Sequence, residues 1–266
     1  MAGGKRNGGD GVDRIEAAAD LIASARRKGT RLDLLPETLR PRDEAEAYLV
    51  QNAVHTRLPG KRIGYKIGCT TPVMQKFLRI ANPCAGPMFD TATFRTRATI
   101  PFATFLHVGI ECEIAVRLGT DVSSGPFTME RMGRAVAACM AAIEIVDDRF
   151  VDYRRMDTPT LIADDFFNWG CVLGPEVTAD PAAMADAVGT TTINGLEVGR
   201  GRGADVLGHP LNALAWLAEN LAARGEHLRA GDIVSTGSLV ETKWLAKGDH
   251  ALVAVSGLGS VTLDLR

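Results

Sequence analysis

Residues 109–116 read GIECEIAV, with Glu111 and Glu113 two apart inside an otherwise apolar, β-branched run. Side chains on a strand alternate between its faces, so both carboxylates point the same way. Two like charges side by side in a half-buried sheet repel one another and lose hydration. The pattern alone leaves two readings open. A Glu-x-Glu strand most often shows its acids to water as a solvated outer face. Otherwise a cation sits between the acids, since roots about 6.6–6.8 Å apart let two glutamate arms close on one ion. The second reading calls for a third acid, and Glu144 in AAIEIVDDRF (141–150) is a lone carboxylate in another apolar run. Carboxylates with no histidine or cysteine among them suit Mg²⁺ or Mn²⁺ better than zinc.

The chain around this strand changes texture near residue 60. Before it, VDRIEAAADLIASARRKG (12–29) spaces Ile15, Ala18, Leu21, Ile22 and Ala25 along one helical face, and RDEAEAYLVQNAVHTRL (42–58) repeats the pattern. After it, RIGYKIGCTT (62–71), the stretch from Ala98 to Arg117, DDFFNWGCVLG (164–174), AGDIVSTGSL (230–239) and GDHALVAVSGLGSVTLDL (248–265) read as extended. Two helices are expected among them: TMERMGRAVAACMAAIE (128–144), rich in small residues, and HPLNALAWLAENLAARG (209–225), with Pro210 in its first turn and Gly225 at its end. Strands and helices do not alternate regularly, and no Gly-x-Gly-x-x-Gly or Gly-Lys-Ser/Thr loop follows a strand. The expected fold is α+β, with a flexible tail (1–12), a small helical N-terminal lobe (13–60) and a mixed, mostly antiparallel β-rich catalytic domain (61–266).

Composition narrows the function classes. The 266 residues are 46% hydrophobic and 23% charged with a net charge of −2, the profile of a soluble globular protein without the basic surplus of a nucleic-acid or anionic-membrane binder. No apolar run approaches the roughly 20 residues of a membrane span. A cytoplasmic protein is expected. Its 5 cysteines are scattered, with no Cys-x-x-Cys pair, and are read as buried thiols rather than a disulfide or zinc framework.

Five motifs in order, GYKIGCT (64–70), GIECEIAV (109–116), AAIEIVDDR (141–149), GRGADVLGHPLNALAWLA (201–218) and LRAGDIVSTGSL (228–239), resemble the hydratase/decarboxylase branch of the fumarylacetoacetate hydrolase superfamily. The likeness spans roughly residues 40–264. It implies a β-roll core, a homo-oligomer, a small-molecule 2-oxo acid substrate, and Mg²⁺ or Mn²⁺ on Glu111, Glu113 and Glu144. The activity it implies is metal-dependent hydration of a 2-hydroxydienoate or 2-oxo-alkenoate. The alternatives are decarboxylation of a 2-oxo-3-hexenedioate on the same scaffold, or a diverged non-catalytic partner subunit.

The resemblance also assigns Lys66, between Tyr65 and Ile67, to the active site as a charge-neutralising or proton-relaying group. It sets Asp90 in GPMFDTATF near a loop aspartate of the family, as a catalytic group that handles protons; by residue type alone, Asp90 is equally a turn former. Thr236 and Gly237 match a Thr-Gly segment near the substrate. ADDFF (163–167) departs from the family's Ala-Asp-Asn-Ala-Ser: Asp164 persists as a substrate-binding candidate, while Phe167 takes the small polar position, which implies a reshaped or more apolar substrate pocket or altered packing at an interface. His209, before Pro210 at a helix start, is read as a structural cap.

Overall fold

The computed structural model describes residues 9–266. Helices are α1 (Gly9–Lys28), α2 (Glu44–His55), α3 (Pro72–Leu78), α4 (Met129–Ala135), α5 (Thr158–Ala163) and α6 (Pro210–Ala223). Strands are β1 (Arg62–Gly68), β2 (Cys84–Phe89), β3 (Thr93–Arg95), β4 (Arg97–Ile100), β5 (Val108–Leu118), β6 (Val136–Asp147) and β7 (Asn168–Leu173). They continue as β8 (Val188–Ile193), β9 (Leu196–Arg202), β10 (Ile233–Ser238), β11 (Lys243–Trp244), β12 (His250–Val255) and β13 (Gly259–Leu265). Contacts divide the chain into a helical unit, Met1–Pro59 with Asp148–Phe167, and a β-rich unit, Gly60–Asp147 with Asn168–Arg266.

In the helical unit, Ala18, Ala19, Ile22 and Ala23 of α1 bury against Val50, Ala53 and Val54 of α2; of the face expected on α1, Ala18 and Ile22 are buried, whereas Leu21 is 42% exposed. Asp43 caps α2 by accepting the Glu46 N–H at 2.9 Å. Residues 9–12 belong to α1 rather than to a tail, and the rest of the expected tail lies outside the described residues. The boundary of this unit also differs from the expected 13–60. Asp148–Phe167 joins it because α5 packs on α2, where buried Gln51 Nε2 donates to the Ile162 carbonyl at 2.7 Å. Pairing between segments so far apart in sequence leaves no mark on local periodicity.

In the β-rich unit an 8-stranded sheet runs β2-β1-β10-β5-β6-β7-β3, with β11 added on β5, and a 5-stranded sheet runs β4-β13-β12-β8-β9. Only β1–β10, β3–β7 and β4–β13 are parallel, so the core is mixed and mostly antiparallel. Strands β12, β13 and β8 of the smaller sheet pack on β5, β6 and β7 of the larger. Helix α6 lies against β10 and α4. His209 is its N-cap, with Nδ1 accepting the Leu211 N–H at 3.0 Å.

One expected helix is corrected. Residues 128–144 are not one helix: α4 stops at Ala135, and Val136–Asp147 continues as β6. β6 sits in the middle of the sheet between β5 and β7, buried along nearly its whole length. A strand covered on both faces shows no alternation, and small residues fit it well. Pairing on both edges overrides the helix preference of alanine. All five cysteines are free and buried. Among the described residues, no helix is long and apolar enough to cross a membrane.

Candidate metal centre

Strand β6 is what completes the site. Antiparallel pairing of β5 with β6 sets Glu111 directly opposite Glu144 and Glu113 opposite Ala142. Directly opposed residues share a face, so three carboxylates converge on one side of the sheet. Each offers an oxygen, and these oxygens lie within 4.8 Å of one another. Glu113 and Glu144 are 0% and 1% exposed, whereas Glu111 is half-buried.

Neighbouring strands aim each acid. From β1, buried Lys66 places Nζ 3.1 Å from Glu144 Oε1. Asn168, the first residue of β7, donates Nδ2 to the same oxygen at 3.1 Å. Glu113 Oε2 accepts the Ser235 hydroxyl and, at 3.1 Å, the Gly237 N–H. A register shift between Ser235 and Ser238 bulges β10 here and turns that N–H toward the acid. Gly237 has φ +114, and a Cβ on it would come 2.4 Å from Thr70 Oγ1, so only glycine fits the bulge. The Thr242 hydroxyl donates to Glu111 Oε1.

Charge in this cluster does not balance. Three carboxylates face one ammonium, and Glu113 Oε1 and Glu144 Oε2 are buried without a hydrogen-bond partner. Burial, then repulsion from Glu144, pushes the Glu111 carboxyl up to about 7. The same two causes, with Glu111 added, hold Glu113 well above the usual carboxylate range. For Lys66, burial opposes its charge, but Glu144, Glu111 and Glu113 outweigh it and raise the pKa. Buried carboxylate oxygens with free lone pairs, no other donor type and surplus negative charge fit a hard divalent cation.

Other expected residues fall elsewhere. Asp90 is exposed at the end of the β1–β2 hairpin, its Oδ1 accepting the Lys61 N–H at 2.9 Å. Asp90 follows Gly86, the partner of Lys66, by four residues, so the strand rise sets it about 13 Å from the lysine row. The structure does not bring Asp90 to the cluster; its backbone opens the single turn Asp90–Ala92, and its side chain ties back to Lys61. Asp164 is in the helical unit, bound by Arg26 at 2.6 Å and Arg149 at 3.0 Å. Phe167 belongs to the same unit, its ring edge-on to Phe150, Tyr153 and Phe166. Thr236 turns its hydroxyl to the Ile114 carbonyl at 2.8 Å, anchoring β10 while Gly237 serves Glu113. Ser235, Asn168 and Thr242 were not anticipated. Their roles follow from strand register: Ser235 lies in LRAGDIVSTGSL and Asn168 in DDFFNWGCVLG, but neither stretch says which residue faces the acids.

A fold of this type with a carboxylate cluster on its main sheet defines a known class. Residues 87–266 match the family model described as fumarylacetoacetate (FAA) hydrolase C-terminal, and the chain belongs to the fumarylacetoacetate hydrolase family. Within that family, it is 34% identical to a 2-keto-4-pentenoate hydratase of Paraburkholderia phymatum, over 94% of this chain and 96% of the relative. A second 2-keto-4-pentenoate hydratase, from Burkholderia vietnamiensis, is 36% identical over 93% of this chain and 95% of its own length. Among solved structures, the 4-oxalocrotonate decarboxylase of Pseudomonas putida G7, complexed with magnesium and adipate, superposes with a TM-score of 0.90 at 26% identity, over 96% of this chain and 98% of that one.

Proposed function

We propose that this protein is a divalent-metal-dependent hydro-lyase that adds water to a 2-hydroxydienoate or its 2-oxo-alkenoate tautomer. Glu111, Glu113 and Glu144 would hold the ion, Mg²⁺ or Mn²⁺. The observation that carries the reading is the pair of buried, unpartnered oxygens, Glu113 Oε1 and Glu144 Oε2, inside an uncompensated cluster of three acids. When bound, the ion supplies a Lewis acid for the adjacent ketone and carboxylate oxygens of a 2-oxo acid.

The chain's own residues do the rest. Ser235, Gly237, Thr242 and Asn168 fix the carboxylates before any ligand arrives, so little reorganisation is needed. Lys66 keeps its proton and stands on the same face, where its ammonium faces the negative charge that gathers on the ketone oxygen as water adds to the distal carbon. Asp164 keeps a structural role in this reading, because Arg26 and Arg149 occupy its oxygens.

Hydration is preferred because both hydratases named above are more similar in sequence than the solved decarboxylase. Decarboxylation remains the second reading, favoured by that structure's TM-score of 0.90. Purified protein with added Mg²⁺ or Mn²⁺ should bleach the ultraviolet absorbance of 2-hydroxypenta-2,4-dienoate and yield a product heavier by one water. Carbon dioxide from a 2-oxo-3-hexenedioate, with no hydrated product from either acid, would replace the first reading by the second.

A further inference from the structure

On the carboxylate face of the main sheet, one step beyond Glu111, stands an aromatic pair that the hydration chemistry does not use. β11 pairs with β5 so that Trp244 lies opposite Gly109, and Gly109 is two residues from Glu111. Opposed residues share a face, so the indole shares the face of the acids, about 6.8 Å along the strand. The preceding residue on that side, Thr242, bonds Glu111 itself, which ties the indole's strand to the metal site.

Gly109 makes the room. A Cβ there would come 2.9 Å from Trp244 Cε3, 2.9 Å from Thr242 Cγ2 and 3.1 Å from Val146 Cγ2. The absent side chain lets the indole lie across the strand. His107, next on this face, stacks on the ring with centroids 4.1 Å apart and planes 9° from parallel. The stack fixes the ring plane, yet Trp244 keeps 44% of its surface exposed. Val146 and then Asn168 continue the same cross-strand row, and Asn168 bonds Glu144. A flat apolar surface thus begins where the far end of a ligand anchored at the acids would leave them.

We propose that Trp244, oriented by His107, is a specificity subsite for 2-hydroxydienoic or 2-oxo acids that carry a flat apolar group, such as an aryl ring, on the distal carbon. This inference rests on the function proposed above and deepens it. An indole offers a ring offset or edge-on stacking, and the negative face of its π-system disfavours a second carboxylate at the same place. The subsite therefore selects against diacids as well as for aryl tails.

Calorimetry on the metal-loaded protein tests it with two unreactive probes, 2-oxopentanoate and 2-oxo-5-phenylpentanoate. Wild-type protein should bind the phenyl acid more tightly. Trp244→Ala should weaken the phenyl acid about tenfold, the size of one aromatic contact, and leave 2-oxopentanoate unchanged. Trp244→Phe should restore most of the loss, and indole fluorescence quenching by the phenyl acid should vanish in both variants. Equal affinities of Trp244→Ala and wild type for the phenyl acid, with 2-oxopentanoate still bound, overturn the subsite and leave the function standing. An altered sedimentation of Trp244→Ala with its phenyl preference intact makes Trp244 a contact between copies and overturns it too. Failure of wild-type protein to bind either acid removes the proposed function, and the subsite falls with it.

Discussion

Each unit of this chain holds a buried cluster of ionisable side chains, and the two are balanced in opposite ways. In the helical unit, Asp164 and Asp165 meet Arg26, Arg149 and His55, with Arg26 at 2.6 Å and 2.9 Å from the two acids and His55 at 2.8 Å from Asp165. Burial works against the charge of Asp165, but His55 and Arg26 outweigh it and hold its carboxyl far below the usual range. In the β-rich unit, burial and mutual repulsion push Glu111 and Glu113 upward instead. In the helical unit the acids are matched by arginines, although Asp165 Oδ1 is itself buried without a hydrogen-bond partner. The excess of acids in the β-rich unit, with Glu113 Oε1 and Glu144 Oε2 unpartnered, supports the divalent-ion site proposed above.

What the matched cluster does is visible in the backbone. Asp165, Phe166 and Phe167 are consecutive left-handed residues, with φ of 58°, 50° and 67°, each costing about 1–2 kcal/mol. Arg149 and Arg26 both bind the Asp164 carbonyl as well as its side chain, and Arg149 reaches the Phe167 carbonyl at 3.3 Å. The guanidinium groups therefore hold a tight turn that the residues themselves disfavour.

The contrast breaks most sharply at Glu111. Glu111→Gln should lower divalent-ion affinity and turnover by more than about 100-fold, since a ligand costs more than its supports. The same substitution removes a repelling charge, so metal-free Glu111→Gln should melt higher than metal-free wild type, and added Mn²⁺ should raise its melting temperature little. A metal titration that survives in Glu111→Gln would refute the assignment. Arg26→Met, in the matched cluster, should do the reverse: about 3–5 kcal/mol of stability lost by chemical denaturation, because two buried acids lose a partner, with ion affinity per folded molecule unchanged.

Acidity should separate the clusters by sign. Glu111 binds its proton more tightly folded than unfolded, so its contribution to the metal-free β-rich unit is fully present below about 4.5 and is lost as pH rises through about 7. Asp165 has the opposite shift, so its contribution is present above the ordinary aspartate value and is lost as pH falls through and below it. Hydrogen exchange of metal-free protein, read separately for the two units, should show protection changing in opposite directions. Saturating Mn²⁺ should abolish the loss in the β-rich unit alone, because the ion takes the place of the proton. Parallel trends in both units would mean that the carboxylates do not titrate as a cluster.

The sequence revealed much of this, and unevenly. Glu111 and Glu113 were legible because a strand has period two, and α1, α2 and α6 because a helix has period 3.6. β6 escapes pattern reading because a fully covered central strand rich in alanine has neither period, so Glu144 stands out as a lone acid without a strand to place it. Lys66 rested on resemblance alone: nothing about Gly-Tyr-Lys-Ile-Gly says which residue will stand beside β1. Register decides that Ser235, Thr242 and Asn168 are the residues that hold the acids, and register is a property of pairs of strands. The charge matching of Asp164 with Arg26 was hidden for the same reason, by distance along the chain.

The finest test of the contrast is a hydroxyl. Thr242 donates to Glu111 Oε1, a bond that favours the ionised carboxylate and so lowers the proton affinity that burial and Glu144 raise. Thr242→Val keeps the shape and removes the donor, so Glu111 should hold its proton to higher pH. Because ion and proton compete for the same oxygens, Mn²⁺ affinity should drop by up to about tenfold near pH 6 and recover toward wild type near pH 8. A loss equal at both pH values would mean that Thr242 merely positions Glu111. A loss confined to low pH would show that a donor from a neighbouring strand tunes the cluster toward a cation, where in the helical unit the same task falls to permanent positive charge.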